Sequence, residues 1–225
     1  MTVVYEERLS DSPFVELIWH TQAESDGCDI VSADVSWDMI IVQQNGKSHL
    51  SVWGPMTKAN SVAHLEGSEA IGIRFKLGTF MPYFPSYSLL NVGTVLPEVT
   101  GKSFWLNGAA WDYPNYENVE TFINRLVRGD LLGRDGIVEA TLQGDPQYMS
   151  LRSVQRRFLR ITGLSQRYIR SIERARQAAS LLGSGLSILD TVYQAGYADQ
   201  QSMTKSLKCL LGQTPAQIAR IRNYE

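Results

Sequence analysis

The spacing of hydrophobic and polar positions changes about halfway along the chain. The first part contains short runs rich in β-branched and aromatic residues, and turn residues separate these runs. The four clearest runs are Phe14–His20, Trp37–Gln44, His49–Gly54 and Ala70–Lys76. Asn45-Gly46 joins the second run to the third, which favours a hairpin. We therefore predict a β-rich N-terminal region.

From Asp135 onward, apolar residues recur at helical spacing. In the stretch LRSVQRRFLRITGLS, positions i, i+3, i+7 and i+10 are apolar, which predicts one buried helix face. These positions are Leu151, Val154, Phe158 and Ile161. Gly163 is expected to end this helix, because glycine adopts the left-handed conformation that commonly follows a last helical turn.

The opposite face of the same predicted helix is basic. Arg152, Arg156 and Arg160 are spaced i, i+4 and i+8, and Gln155 lies at the edge of their row. Like charges at this spacing repel one another on an isolated helix. A row of guanidinium groups is more readily tolerated where it meets phosphates and guanine edges. The pattern therefore points to a nucleic-acid surface, and a solvated basic face is the alternative.

A second helical unit follows with the same organisation. Ser187 to Asp190 form a capping-box variant, and the chain is expected to turn at Gly196. The next predicted helix, Gln200–Leu211, has an apolar inner face and a polar outer face. The inner residues are Met203, Leu207 and Leu210, and the outer ones are Gln201, Lys205 and Lys208. A helix, a glycine turn and a helix with a basic outer face are the pattern of a helix-turn-helix unit.

The charge of the chain is divided in the same way as its hydrophobic pattern. The 225 residues carry a net charge of −2, but residues 1–134 carry −7 and residues 135–225 carry +5. This asymmetry favours two domains, of which the second faces a polyanion. We place a β-rich effector-binding or dimerisation domain at residues 1–130 and an all-α domain at residues 135–225.

Two motifs resemble those of AraC-type transcriptional regulators. AGYADQQSMTKSLKCLLGQTPAQIA is similar to the second helix-turn-helix of that family, and LRSVQRRFLRITGLS is similar to the recognition helix of the first. The resemblance covers about residues 135–222 and implies two helix-turn-helix units joined by a long helix, here Gln166–Leu182. It also implies that the second helix of each unit enters a major groove of double-stranded DNA.

The resemblance carries over to individual residues by matching position. Arg152, Gln155 and Arg156 are the expected base readers of the first unit, and Gln200, Gln201 and Lys205 are those of the second. Arg157, Arg160 and Lys208 are expected on phosphates, which fix register without reading sequence. Lys205 replaces the arginine usual in the family, so a single contact to guanine is expected there instead of a bidentate one.

The N-terminal region resembles the cupin-like barrels that are fused to this family. The runs SWDMIIVQQNG, SVWGPMT and IGIRFKLG carry this likeness. It implies a small-molecule effector, a homodimer or both, and RNA polymerase is a further partner implied by the family. Trp19, Trp37, Trp53 and Phe75 are candidates to line an effector pocket, although aromatic residues of a barrel core give the same pattern.

The sequence offers little support for catalysis. His20, His49 and His64 do not form the clustered histidine set of a metal cupin, and no nucleotide-binding or nucleophile motif is present. We therefore expect no enzyme activity, no metal and no cofactor. With no long apolar run and no signal peptide, a cytoplasmic location away from membranes is expected.

Two functions of different classes remain from the sequence. The first is a sequence-specific DNA-binding regulator, modulated by a small molecule in the N-terminal domain. The second is a cupin-type small-molecule-binding protein or enzyme whose helical tail mediates protein contacts.

Overall fold

The computed structural model describes residues 3–84, 88–145 and 148–221, and it divides them into β-rich and helical regions as the sequence predicts. The strands of the N-terminal region are β1 (Val3–Leu9), β2 (Val15–Ala23), β3 (Gly27–Val31), β4 (Asp38–Gln44), β5 (Lys47–Trp53), β6 (Asn60–His64), β7 (Glu69–Phe75), β8 (Thr79–Phe80), β9 (Gly93–Val95), β10 (Glu98–Thr100), β11 (Ser103–Leu106) and β12 (Ala109–Asp112). The remaining elements are α1 (Val119–Arg128), β13 (Gly133–Arg134), α2 (Gly136–Gln143), α3 (Leu151–Thr162), α4 (Gln166–Gly183), α5 (Ile188–Gln194), α6 (Gln200–Leu211) and α7 (Pro215–Ile221).

The largest sheet is antiparallel and contains all four strands predicted from the sequence. Its strand order is β1-β2-β7-β4-β5-β9. The predicted hairpin between β4 and β5 is confirmed, and Asn45 and Gly46 take the positive φ angles of 51° and 74° that a tight hairpin requires. Within the described residues β1 and β9 are the edges of this sheet, so the sheet is open and the predicted barrel is not closed.

One face of this sheet forms the main hydrophobic core. Side chains alternate between the two faces of a strand, so Ile18 and Ile73 point into the core and their neighbours point to the other face. Helix α1 closes the core through Phe122, Ile123 and Leu126, and the β11 residue Phe104 packs with them. The second face of the sheet carries both aromatic and charged residues, among them Trp19 and Arg74.

The helical region packs on two smaller cores. The first contains Phe158 and Ile161 of α3, and it also includes Leu77 and Phe80 from the β-rich region. The second core surrounds α4 and contains apolar residues of α5, α6 and α7 together with Ala33. Both cores therefore include side chains of the β-rich region, so the two regions pack against each other.

The predicted end of α3 before Gly163 and the predicted limits of α6 are confirmed, but one predicted core position is wrong. Leu151 is 82% exposed, whereas Val154, Phe158 and Ile161 are buried as predicted. Leu151 is the first residue of α3, and the buried face of the helix begins only at Val154. Helical periodicity identifies a face, but it does not show where along the helix the packing starts.

Candidate nucleic-acid interface

Helix α3 is fixed at both ends by local hydrogen bonds. The Ser150 hydroxyl accepts a hydrogen bond from the backbone N–H of Ser153, which caps the N-terminus. Gly163 takes a φ of 74° after the last turn, and its N–H donates to the carbonyl of Leu159. These caps determine where α3 begins and ends.

The predicted contact residues of α3 all lie on its exposed side. Arg152, Gln155, Arg156 and Arg160 are exposed, and none of these arginines forms an ion pair with any other described residue. Unpaired, solvated guanidinium groups are available to phosphates and base edges. The structure places these four side chains on the same exposed side of α3. Their contacts with DNA stay a prediction.

Arg157 differs from the other arginines of α3 because it is already paired. Its Nε donates to Oδ2 of Asp135 at 2.8 Å, and the Asp135 side chain is only 4% exposed. Asp135 also caps α2 by accepting from the N–H of Ile137. The ion pair therefore joins the two helices of the first unit, a role that the sequence pattern did not reveal.

Helix α6 has the same organisation in the second unit. Asp199 and Ser202 form a reciprocal capping box, and Met203, Leu207 and Leu210 are buried as predicted. Gln200, Gln201, Lys205 and Lys208 are exposed, and neither lysine has an ion pair among the described residues. The turn before α6 uses Gly196 at a φ of 69°. Helices α3 and α6 thus each present a basic and amide-bearing surface.

The β-rich region holds the C-terminal end of α6 through backbone hydrogen bonds. The N–H of Ala33 donates to the carbonyl of Leu210 at 2.7 Å, and the N–H of Ala59 donates to that of Cys209 at 2.8 Å. The last carbonyls of a helix have no partner inside the helix. Two of them are here satisfied by the N-terminal region, which ties the position of α6 to that region.

Asp34 forms a second link between the two regions. Its carboxylate accepts from Arg74 of β7 at 3.0 Å and from Arg176 of α4 at 3.4 Å. Arg74 also pairs with a second carboxylate, that of Asp38, at 3.4 Å. Burial raises the pKa of Asp38 to about 6, and the positive charge of Arg74 opposes part of this rise because it favours the ionised carboxylate. Asp34 and Arg176 are 142 positions apart in the chain, so no sequence pattern predicted this cluster.

The four predicted effector-pocket residues do not surround one cavity. Trp37 and Phe75 are buried in the main core and stack at a ring-centroid distance of 3.8 Å. Trp19 and Trp53 project from the opposite face of the sheet, over Gly72 and Gly93 respectively. Because side chains alternate between the two faces of a strand, the four residues are divided into one pair on each face of the sheet. Their residue types alone did not predict this division.

Two negative findings concern the parts of the chain that the structure describes. No group of three or more His, Cys, Asp or Glu residues there is arranged to hold a metal ion. No helix in those parts is both long and apolar enough to cross a membrane.

Comparison with known proteins finds a family match for most of the helical region. Residues 148–221 match a family model described as a helix-turn-helix domain, which covers α3 to α7 and leaves α2 outside. No curated protein matches the chain. Two solved structures of ToxT from Vibrio cholerae align over 98% and 99% of this chain and 99% and 100% of their own. Their sequence identities are 10% and 11%, and their TM-scores are 0.41 and 0.39. The second is bound to (E)-4-(8-methylnaphthalen-1-yl)but-3-enoic acid.

Proposed function

We propose that this chain is a sequence-specific DNA-binding regulator of transcription of the AraC type. Its residues 148–221 match a helix-turn-helix domain model, and its two helical motifs resemble those of AraC-type regulators. One observation carries the proposal: the second helix of each unit, α3 and α6, presents an exposed row of basic and amide side chains. Arginine and lysine pair with guanine edges, and glutamine pairs with adenine. These are the residue types that base reading in a major groove requires.

The proposed roles follow the position of each residue on its helix. Arg152, Gln155 and Arg156 read bases in one major groove. Gln200, Gln201 and Lys205 of α6 read bases in the next one. Arg160 and Lys208, each further along its helix, contact phosphates.

We also propose that a small molecule bound by residues 1–130 modulates the DNA-binding domain at residues 135–225. The support is physical contact: Ala33 and Ala59 hold the end of α6, and Asp34 joins Arg74 of the sheet to Arg176 of α4. A ligand bound between Trp19 and Trp53 would be close to Arg74, because Arg74 is in register with Trp53 across β4 and lies two residues from Gly72, the strand partner of Trp19. Homodimerisation, contact with RNA polymerase and a cytoplasmic location belong to the same proposal.

The test is a selection of duplexes from a random library at about 150 mM salt with nonspecific competitor. Salt suppresses binding that depends on phosphates alone, so enrichment then reports base reading. We expect one motif with two short blocks about one helical turn apart, because the proposal assigns α3 and α6 of one chain to successive major grooves. The double variant Arg156→Ala/Lys205→Ala should enrich no motif, since each lost base contact costs about 1–3 kcal/mol.

The matched control is Lys102→Gln/Arg128→Gln, which removes two exposed positive charges from the β-rich region. It should enrich the same motif as the unmodified chain. If the unmodified chain enriches no motif, or if the Arg156→Ala/Lys205→Ala variant enriches the same one, the proposed function or its residue assignment is wrong.

A further inference from the structure

A groove between α3 and α4 is lined by arginines that neither helix-turn-helix motif explains. It has a volume of about 880 Å³, and Gln155 and Leu159 of α3 form one wall. Arg167, Arg170 and Arg174 of α4 form the other, and no acidic residue lines the groove. The groove therefore begins at the ridge of α3 that carries the predicted base readers.

The three arginines form one row along α4. Their spacing of i, i+3 and i+7 places them within an arc of about 60° on the helix surface. Arg176 lies about 180° from Arg167 by the same geometry, and it is the residue that binds Asp34 of the β-rich region. Helix α4 thus turns one side towards the N-terminal region and presents the arginine row on the other.

The row extends from the first helix-turn-helix unit to the second. Arg167 follows the Ser165 cap that begins α4, directly after the end of α3. At the other end, the Arg174 guanidinium lies 4.5 Å from the centre of the Tyr197 ring and donates to the carbonyl of Gly196 at 3.5 Å. Gly196 and Tyr197 form the turn that leads into α6. The row therefore bridges the space between the two reading helices.

The free charges of the row match a polyanion in sign and spacing. Arg167 and Arg170 are exposed, and no ion pair to either occurs within the residues that the structure describes. Seven residues of helix span about 10 Å. One DNA strand carries a phosphate about every 3.4 Å along the duplex axis, so the row spans about three phosphates. Two helices in successive major grooves leave the intervening phosphate backbone facing the surface between them.

We propose that Arg167 and Arg170 bind the phosphate backbone of duplex DNA between the two major grooves read by α3 and α6. This inference rests on the proposed function. It adds a contact surface on the linking helix, which determines affinity and register and does not read bases.

The experiment measures the salt dependence of binding for Arg167→Gln/Arg170→Gln on a duplex that the unmodified chain prefers. Each phosphate contact contributes about 0.9 to the slope of log affinity against log salt. The double variant should therefore lower the slope by about 1.8, so that between 50 and 200 mM salt it loses about tenfold less affinity than the unmodified chain. Its preference for that duplex over a scrambled one should not change.

Two controls separate charge from fold. Arg167→Lys/Arg170→Lys keeps both positive charges and should restore most of the slope. Lys102→Gln/Arg128→Gln removes the same total charge from exposed positions of the β-rich region and should leave the slope unchanged. Circular dichroism and urea unfolding of each variant confirm that its fold is retained before its slope is compared.

The salt-dependence experiment separates a failure of the arginine row from a failure of the proposed function. An unmodified chain with no preference for any duplex overturns the proposed function itself. If the unmodified chain prefers a duplex and Arg167→Gln/Arg170→Gln has the same slope, only the role of the row is wrong. A variant that keeps the slope but loses the sequence preference also overturns the inference, because the arginines would then read bases.

Discussion

Replacing Gly212 by alanine perturbs two features of the structure at once. Gly212 ends α6 with a φ of 74°, and a left-handed conformation costs a residue with a Cβ about 1–2 kcal/mol. An added Cβ would also lie 2.5 Å from Cγ2 of Ile30 in β3 and 3.2 Å from Cβ of Ala59. Carbon atoms in favourable contact are about 3.5–4.0 Å apart, so β3 and the Ala59 segment must move away from α6.

The expected cost of Gly212→Ala is about 3–4 kcal/mol. The backbone strain accounts for about 1–2 kcal/mol. Separation of the two regions adds the loss of the hydrogen bonds that Ala33 and Ala59 donate to α6, each worth about 1 kcal/mol net. The assay is urea unfolding followed by far-ultraviolet circular dichroism, which gives the free energy of unfolding of each variant.

Gly144→Ala is the matched control for this prediction. Gly144 ends α2 with a φ of 80°, but an added Cβ there has no neighbour within 4 Å. It should therefore cost only the backbone strain of about 1–2 kcal/mol. If both variants lose the same stability, the end of α6 is not docked against the β-rich region, and the physical link proposed for effector control is refuted.

Three further predictions concern single side chains. The pKa of Asp38 is about 6 in the folded chain and 3.8 without its surroundings, so the folded state retains a proton that the unfolded state releases. The free energy of unfolding should therefore fall as pH rises from about 4 to 6, by up to about 3 kcal/mol, and Asp38→Asn should remove that dependence in urea titrations. Arg157→Ala should cost about 1–2 kcal/mol of stability because it leaves the buried Asp135 carboxylate without its cation, whereas Arg156→Ala should change thermal stability little. Leu151→Ala should stay within about 0.5 kcal/mol of the unmodified chain in urea unfolding, since that side chain is 82% exposed.

The elements that the sequence predicted well are those determined by local chemistry. Gly163 and Gly212 end their helices in the left-handed conformation, and Ser187 caps α5, as their residue types predict. The Asn45-Gly46 turn likewise determines how β4 and β5 pair. In each case the responsible residues lie within a few positions of one another, so a linear pattern contains the information.

The features that the sequence did not predict depend on contacts between distant segments. Asp34 pairs with Arg74 from another part of the β-rich region and with Arg176 from the helical region. Arg157, which the sequence assigned to phosphate contact, pairs with Asp135 from another helix. Periodicity assigns a side chain to one face of an element, but it does not identify the partner that covers that face.

The division of the aromatic residues shows the same limit within one sheet. Trp37 and Phe75 stack in the core, whereas Trp19 and Trp53 lie on the other face. Their residue types are equally compatible with both positions. Strand register, which the sequence does not specify for distant strands, determines which of them remain near a surface.

The measurement that tests the central claim most directly is the base preference of single variants on the selected duplex. Each position of both blocks is substituted in turn, and binding is measured for the unmodified chain, Arg156→Ala and Lys205→Ala at about 150 mM salt. We predict that Arg156→Ala relaxes preference in one block only and that Lys205→Ala relaxes it only in the other, about one helical turn away. Uniform weakening on every sequence by both variants would contradict the claim that α3 and α6 read bases.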